Sequence, residues 1–323
     1  MRRFLARRLA HGAAVIVIAA SLAFVLAHVA PGDPFSATLD SANIDPAVRE
    51  RWRSAYGLDR SLPEQYLGFL RQLAAGNLGV STRDGRPVSE VLARALPHTL
   101  LLMGSALLVS FLAGIVLGAW QATRRGSRAD RVAGTVSLVV ASLPEFWLGL
   151  VLLLIFAYKL PVLPGGGVVD LGMHDALSPM GKVIDRLRHL VLPASTLALL
   201  GTAAIARHQR AALLEVLPQD FVRTARAKGV GERWVLYRHA LRNALVPTIV
   251  LAGLSLPSLL GGAVFVEQIF SWQGMGWVAT NAFASRDYHV VVGATVLGAI
   301  LVVIGGILTD LLHAVVDPRL RAR

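Results

Sequence analysis

The chain has 323 residues, 54% hydrophobic and 16% charged, and its 32 Lys and Arg against 20 Asp and Glu give a formal net charge of +12. An ordinary soluble domain carries about 25% charged and about 45–50% apolar residues, so this composition excludes a simple soluble domain, and its hydrophobicity excludes disorder. The absence of cysteine excludes disulfides, thiolate metal sites and cysteine nucleophiles; a basic balance can indicate nucleic acid, but a mean hydropathy of +0.58 assigns the charge to the loops of a membrane protein, and no nucleic-acid partner is expected.

Crossing roughly 30 Å of hydrocarbon takes about 20 apolar residues. In chain order, spans are expected at 9–29, 98–120, 132–158, 190–206, 244–266 and 288–312, with the fourth free to start earlier, near Val183. The first span follows Arg2, Arg3, Arg7 and Arg8, which raises a cleavable signal peptide as an alternative. Its apolar run exceeds the usual 7–15 residues and no Ala-x-Ala site follows, so it is read as a retained span. The loop at 30–97 is punctuated by Pro and Gly, with helical composition at 45–56 and 62–75 and a short helix at 88–96. It is expected to form a small cap rather than a separate domain.

Lys and Arg are concentrated in the segments 1–8, 121–131, 207–243 and 313–323, with 19 in 67 residues, against 13 in 120 residues of the remaining loops. The positive-inside rule then places both termini and the 207–243 loop in the cytoplasm. The expected fold is an all-α membrane protein, a single transmembrane domain over 1–323.

Within 207–243, Asp220 is a good N-cap residue and Gly229 a good left-handed residue just past a helix end. The eight residues between them are too few for a stable isolated helix, so that helix needs packing on its own chain or on a partner. A second helix from about Glu232 places Trp234, Tyr237, Leu241 and Leu245 on one face, suited to the membrane interface, and leaves Arg233, Arg238 and Arg242 for water or headgroups. Two readings stand side by side: an ordinary positive loop, or a peg that docks in the groove of a cytoplasmic partner.

Other features are weaker. Glu145, in the third expected span after Pro144, is costly in hydrocarbon unless it faces a cavity or partner. It is either a proton-coupling group, which would make the chain an autonomous secondary transporter, or a polar residue near a proline kink, lining the path or shifted towards the outer interface. Pro144 and Pro257 can kink their spans, and Gly114 with Gly118 permits close helix approach. The nine histidines form no i, i+4 pair with one another, so no metal site is expected. No convergent constellation of catalytic side chains supports a membrane-bound enzyme.

The 207–243 loop resembles the permease subunits of binding-protein-dependent ABC importers. That family carries Glu-Ala-Ala, three residues, Gly, then nine residues and Ile-x-Leu-Pro. Here Arg223-Thr224-Ala225 fills the first triplet, Gly229 follows, and His239-Ala240-Leu241-Arg242 fills the last part, departing at the Glu, the first Ala, the Ile and the Pro. The stretches 220–229 and 239–244 are similar to the dipeptide, oligopeptide, nickel and glutathione branch. So are Ala-Pro-Gly-Asp-Pro at 30–34, a mark of its B-type subunit, and the segments 56–60, 76–81, 85–90, 142–149, 266–276, 286–289 and 317–321, with Gln273 and His289 where Pro is usual.

The resemblance implies a type I importer transmembrane domain that pairs with a second homologous permease subunit. It implies docking of Arg223, Thr224, Ala225, Arg226, Ala227, Lys228 and Gly229 on one of two ATP-binding subunits, separate or fused, and delivery of substrate by an extracytoplasmic binding protein. ATP and Mg would sit on those partners. No Gly-x4-Gly-Lys-Ser/Thr occurs in this chain, since Gly181-Lys182 is followed by Val183, so no cofactor and no ATPase activity of its own are expected. Peptides lead as substrates, with nickel chelates and glutathione open.

Overall fold

A computed structural model describes residues 2–29, 60–255, 257 and 263–316. The segments 30–34, 45–56 and 317–321, singled out above, lie outside the described residues. Among those described, the secondary structure is helical, with one isolated bridge between Val80 and Pro87.

The chain forms two compact units, Met1–Pro97 with Gly274–Val303, and His98–Gln273 with Ile304–Arg323. In the first, helix Arg2–Val29 meets helix Leu62–Ala74. Phe24 packs on Tyr66 and Phe69, each at 5.4 Å between ring centroids, and Ser21 and Tyr66 share a hydrogen bond of 2.7 Å. The Ser61 backbone N–H and hydroxyl both donate to Glu64, closing the start of Leu62–Ala74. The turn after that helix is anchored by buried Asp287, which accepts from the Ser81 hydroxyl at 2.6 Å and the Arg83 N–H at 3.4 Å. Val88, Leu92, Ala95, Met275, Ala282, Val290 and Ala294 form this unit's core.

The helices differ from the expected spans in three places. First, no separate helix at 88–96 precedes the second span. Helix Val88–Thr123 is continuous over 36 residues with Pro97 inside it, because Pro97 removes one donor while the apolar surroundings hold the rest of the ladder. Second, the third span is two helices, Arg128–Ser142 and Glu145–Leu153 with its π continuation Leu154–Lys159, bent by 102°. Leu143 and Pro144 are extended, at ψ 138° and 135°, as a residue before proline and a proline without an N–H donor favour. Third, the fourth span lies inside helix Pro179–Val216, 38 residues long. At 1.5 Å per residue these long helices measure roughly 54 and 57 Å, so each exceeds a hydrocarbon slab of about 30 Å.

Among the described residues, four helices are long and apolar enough to cross a membrane, or five with the bent pair as one span. The fifth expected span begins in helix Arg242–Leu254 and ends near Val264–Ile269; residues 256 and 258–262 between them are outside the described set.

The Gly-x3-Gly pair is a helix crossing. A Cβ on Gly114 would meet Ile205 at 2.7 Å, and one on Gly118 would press on the Ala206 carbonyl and meet the Arg210 nitrogen at 3.0 Å. At the other end of this unit, the fully buried Glu267 accepts from the Thr99 hydroxyl at 2.8 Å, and the Trp272 indole donates to the His98 carbonyl at 2.9 Å. Asp185 gathers His174, at 2.6 Å from its Nδ1, and His189, at 3.2 Å. No group of His, Asp or Glu among the described residues could hold a metal ion.

Candidate functional site

The short helix expected in the 207–243 loop is Asp220–Ala227, eight residues. Its N-cap is Gln219 rather than Asp220, with extended backbone at φ −71° and ψ 152°. Asp220 enters the first turn, where its carboxylate still faces the positive end of the helix dipole. The far end closes as a Schellman motif. The Gly229 N–H donates to the Arg226 carbonyl at 2.9 Å and the Val230 N–H to the Ala225 carbonyl at 3.2 Å, with Gly229 at φ +75°.

An eight-residue helix cannot hold itself in water, and the stabilisation comes from its seat. Val222 and Ala225 are buried among Ala119, Ala122, Ala212, Leu213 and Val216 on one side and Val235, Ala240 and Ala244 on the other. Burying Val222 fully contributes about 1.5–3 kcal/mol. Ala225, expected among the docking contacts, therefore faces the chain's own core. The remaining six, Arg223, Thr224, Arg226, Ala227, Lys228 and Gly229, are exposed.

The exposed charges are not equivalent. Arg226 makes a bidentate bond to Glu232, with Nε at 3.1 Å and a terminal nitrogen at 2.7 Å, tying the helix to the start of the next one. That bond holds the Glu232 carboxyl below the usual range and raises Arg226 in turn. Arg223 lies 3.6 Å from Asp220 in an exposed pair, and Lys228 has no ion-pair partner among the described residues. Phe221, 39% exposed, is a residue the sequence reading passed over. With Val222 and Ala225 turned inward, Phe221, Thr224 and Lys228 share the outward face at i, i+3 and i+7. The signal was present as a large apolar residue off the buried stripe of a basic helix.

The helix also sits among tied neighbours. Gln209 accepts from the Thr248 hydroxyl at 2.6 Å and its amide reaches the Ala244 carbonyl at 3.4 Å. Arg210 grips the buried Asp130 with two bonds of 2.8 Å, and Asp130 also accepts from the Gly126 N–H. These residues were not singled out beforehand, because only the fold brings 130, 209–210 and 244–248 together.

Glu145 lies at the 102° bend, in the first turn of helix Glu145–Leu153 and half-buried. The first turn of a helix is the positive end of its dipole, where a carboxylate is favoured. Nothing in the structure favours the autonomous proton-coupled reading.

Comparison with known proteins agrees over the whole chain. Residues 114–322 match the family described as binding-protein-dependent transport system inner membrane component, and residues 1–103 match its N-terminal companion. The chain is similar to the oligopeptide transport system permease protein AppB of Bacillus subtilis, 39% identical over 321 residues and 99% of each chain. It is similar to the di/tripeptide transport system permease protein DppB of Pseudomonas aeruginosa, at 38% over 333 residues, and to the dipeptide transport system permease protein DppB of Escherichia coli, at 34% over 336 residues, again across 99% of each chain. Helices of spanning length, a short basic helix seated on the core beside them and these full-length matches converge on one assignment: the chain is a multi-pass membrane protein of the binding-protein-dependent transport system inner membrane component family, a permease subunit and not an enzyme.

Proposed function

We propose that this chain is the B-type permease subunit of an ATP-driven peptide importer and forms half of its translocation pathway. As one transmembrane domain over 1–323 it spans the membrane six times with both termini in the cytoplasm, and Glu145 lines the path at the bend. It pairs with a second homologous permease subunit, receives substrate from an extracytoplasmic binding protein, and works with two ATP-binding subunits that hold ATP and Mg. The helix Asp220–Ala227 with Gly229 inserts into a groove on one of those subunits. Phe221, Thr224 and Lys228 make the contact, with Arg223 beside them, while Arg226 holds the angle of the helix through Glu232.

The observation that carries this reading is the construction of that helix. It is capped at its C-terminus, seated by Val222 and Ala225, and presents an apolar residue and cations outward. The peptide substrate is supported by the full-length similarity to permeases named for oligopeptides and dipeptides. The test is purification of the tagged chain in gentle detergent, mass spectrometry of what accompanies it, and uptake of labelled di- and oligopeptides into vesicles. The expected result is a second permease, ATP-binding subunits and uptake that requires ATP and binding protein. Uptake by the chain alone, without ATP, overturns the proposal.

A further inference from the structure

Beyond the seat, the segment Glu232–Trp234, Val235–Leu241 and Arg242–Leu254 has two unlike faces. Val235, Ala240 and Ala244 are fully buried in the core. The opposite face carries an open groove of about 610 Å³ lined by three arginines, Arg233, Arg238 and Arg242. None of the three meets a carboxylate among the described residues, and the nearest acid in sequence, Glu232, is taken by Arg226. The groove contains no acidic residue.

Its walls are amphipathic. Trp234 and Tyr237 stand 59% and 64% exposed, and the Arg238 guanidinium lies 5.6 Å from the Trp234 ring centroid. Leu241 and Leu245 complete the lining, and Val246 and Ile249 in the next turn are also exposed. The Val235–Leu241 stretch is a π-helix, with more residues per turn than an α-helix, and residues from 233 to 245 nonetheless line one groove.

We infer that this groove is a binding site for an anionic phospholipid. The headgroup phosphate is held by Arg233, Arg238 and Arg242, the glycerol region rests on Trp234 and Tyr237, and an acyl chain runs along Leu241, Leu245 and the apolar surface beyond. The order of charge, amphipathic aromatic and aliphatic side chain along one segment is the order a lipid presents from headgroup to tail. The site stands in whichever leaflet the groove lies, so it does not depend on the importer reading.

The test is native mass spectrometry of the full-length protein, carried with its accompanying subunits, after delipidation and titration with dioleoyl phosphatidylglycerol or dioleoyl phosphatidylcholine. Each basic residue near an anionic surface favours binding about fivefold. The combined Arg233→Gln, Arg238→Gln, Arg242→Gln variant should therefore retain phosphatidylglycerol on the order of 100-fold less at low salt, and the difference should narrow as salt screens the charges. An Arg125→Gln, Arg128→Gln control should bind as the parent does. In a second arm, Tyr237→benzoylphenylalanine is irradiated in native membranes, and a lipid adduct is expected. Equal retention of the two lipids, equal retention by the triple variant, or a Tyr237 adduct to another protein chain each overturns the proposal. The second arm decides the matter should the triple variant fail to assemble.

Discussion

Replacing Gly229 separates the direction of the chain after helix Asp220–Ala227 from the packing of that helix. At φ +75° a side chain is strained whatever the space around it, and an added Cβ at Gly229 meets nothing within 4 Å, so the whole penalty is backbone strain. For alanine that is about 1–2 kcal/mol, more for a β-branched side chain. Against it stand the two Schellman bonds, each worth about 1 kcal/mol net. Alanine leaves these terms close to balance, so Gly229→Ala should weaken the cap and reduce coupling several-fold at most. With valine the strain wins. The chain then leaves Lys228 in another direction, and Glu232 is carried away from Arg226. The assay is substrate transported per ATP hydrolysed by the reconstituted complex with its binding protein. Gly229→Val should hydrolyse ATP with little transport, and Gly229→Asn, tolerant of the left-handed region, should work nearly normally. Gly231→Ala is the control: that backbone has φ −56° and its Cβ also meets open space, so it should behave as the parent. Normal transport per ATP by a well-inserted Gly229→Val complex refutes the reasoning.

Three other substitutions test the frame around the helix. Gly118→Val drives a side chain into the Ala206 carbonyl and the Arg210 nitrogen and should lower thermal stability by about 1–3 kcal/mol, whereas Gly134→Ala, with open space at its Cβ, should not; detergent melting curves followed by size exclusion distinguish them. Asp130→Ala strips Arg210 of a bidentate partner and frees the Gly126 N–H, at about 1–3 kcal/mol, and Arg210→Gln added to it should cost less than the two single losses summed. Because Arg226 depresses the Glu232 carboxyl in the folded state, the tie contributes above the ordinary glutamate value of about 4.3 and is lost as pH falls through the lower folded value. The protection of amides over 220–234, taken as exchange corrected for its intrinsic pH dependence, should fall modestly below about pH 4.5, and in Glu232→Gln it should be lower and flat across that range.

How much of this was legible in the sequence depended on the range of the interaction involved. The short helix and its terminal glycine were readable because capping and left-handed backbone are set by residues within one turn, and the one-residue shift of the N-cap to Gln219 lies within what local rules resolve. The bend at Leu143–Pro144 left a local mark too, but hydropathy over a window averages across it and returns one span. The reverse error occurred at Pro97, where a local breaker is overridden by the long apolar helix around it. Asp130 and Arg210, 80 residues apart, carry no local mark, and neither does the burial of Glu267 against Thr99. Phe221 lay between the two cases, since its neighbours had to be known to point inward before it could be assigned outward.

The seat also indicates how a push on the helix would travel. Ala212, Leu213 and Val216, which support Val222 and Ala225, belong to the last turns of a 38-residue helix. One or two turns earlier the same helix carries Gln209, bound to Thr248 and Ala244, and Arg210, bound to Asp130. Moving the short helix alone would uncover Val222, at about 1.5–3 kcal/mol, and would strip the seat of its van der Waals contacts. Moving it together with its neighbours keeps every one of these contacts. A close-packed seat rich in alanine disfavours the first course, since small side chains bring backbones near and cannot reorient to fill a gap. The displacement is therefore passed on to the end of helix Pro179–Val216, the start of Arg128–Ser142 and the entry to Arg242–Leu254 as one body.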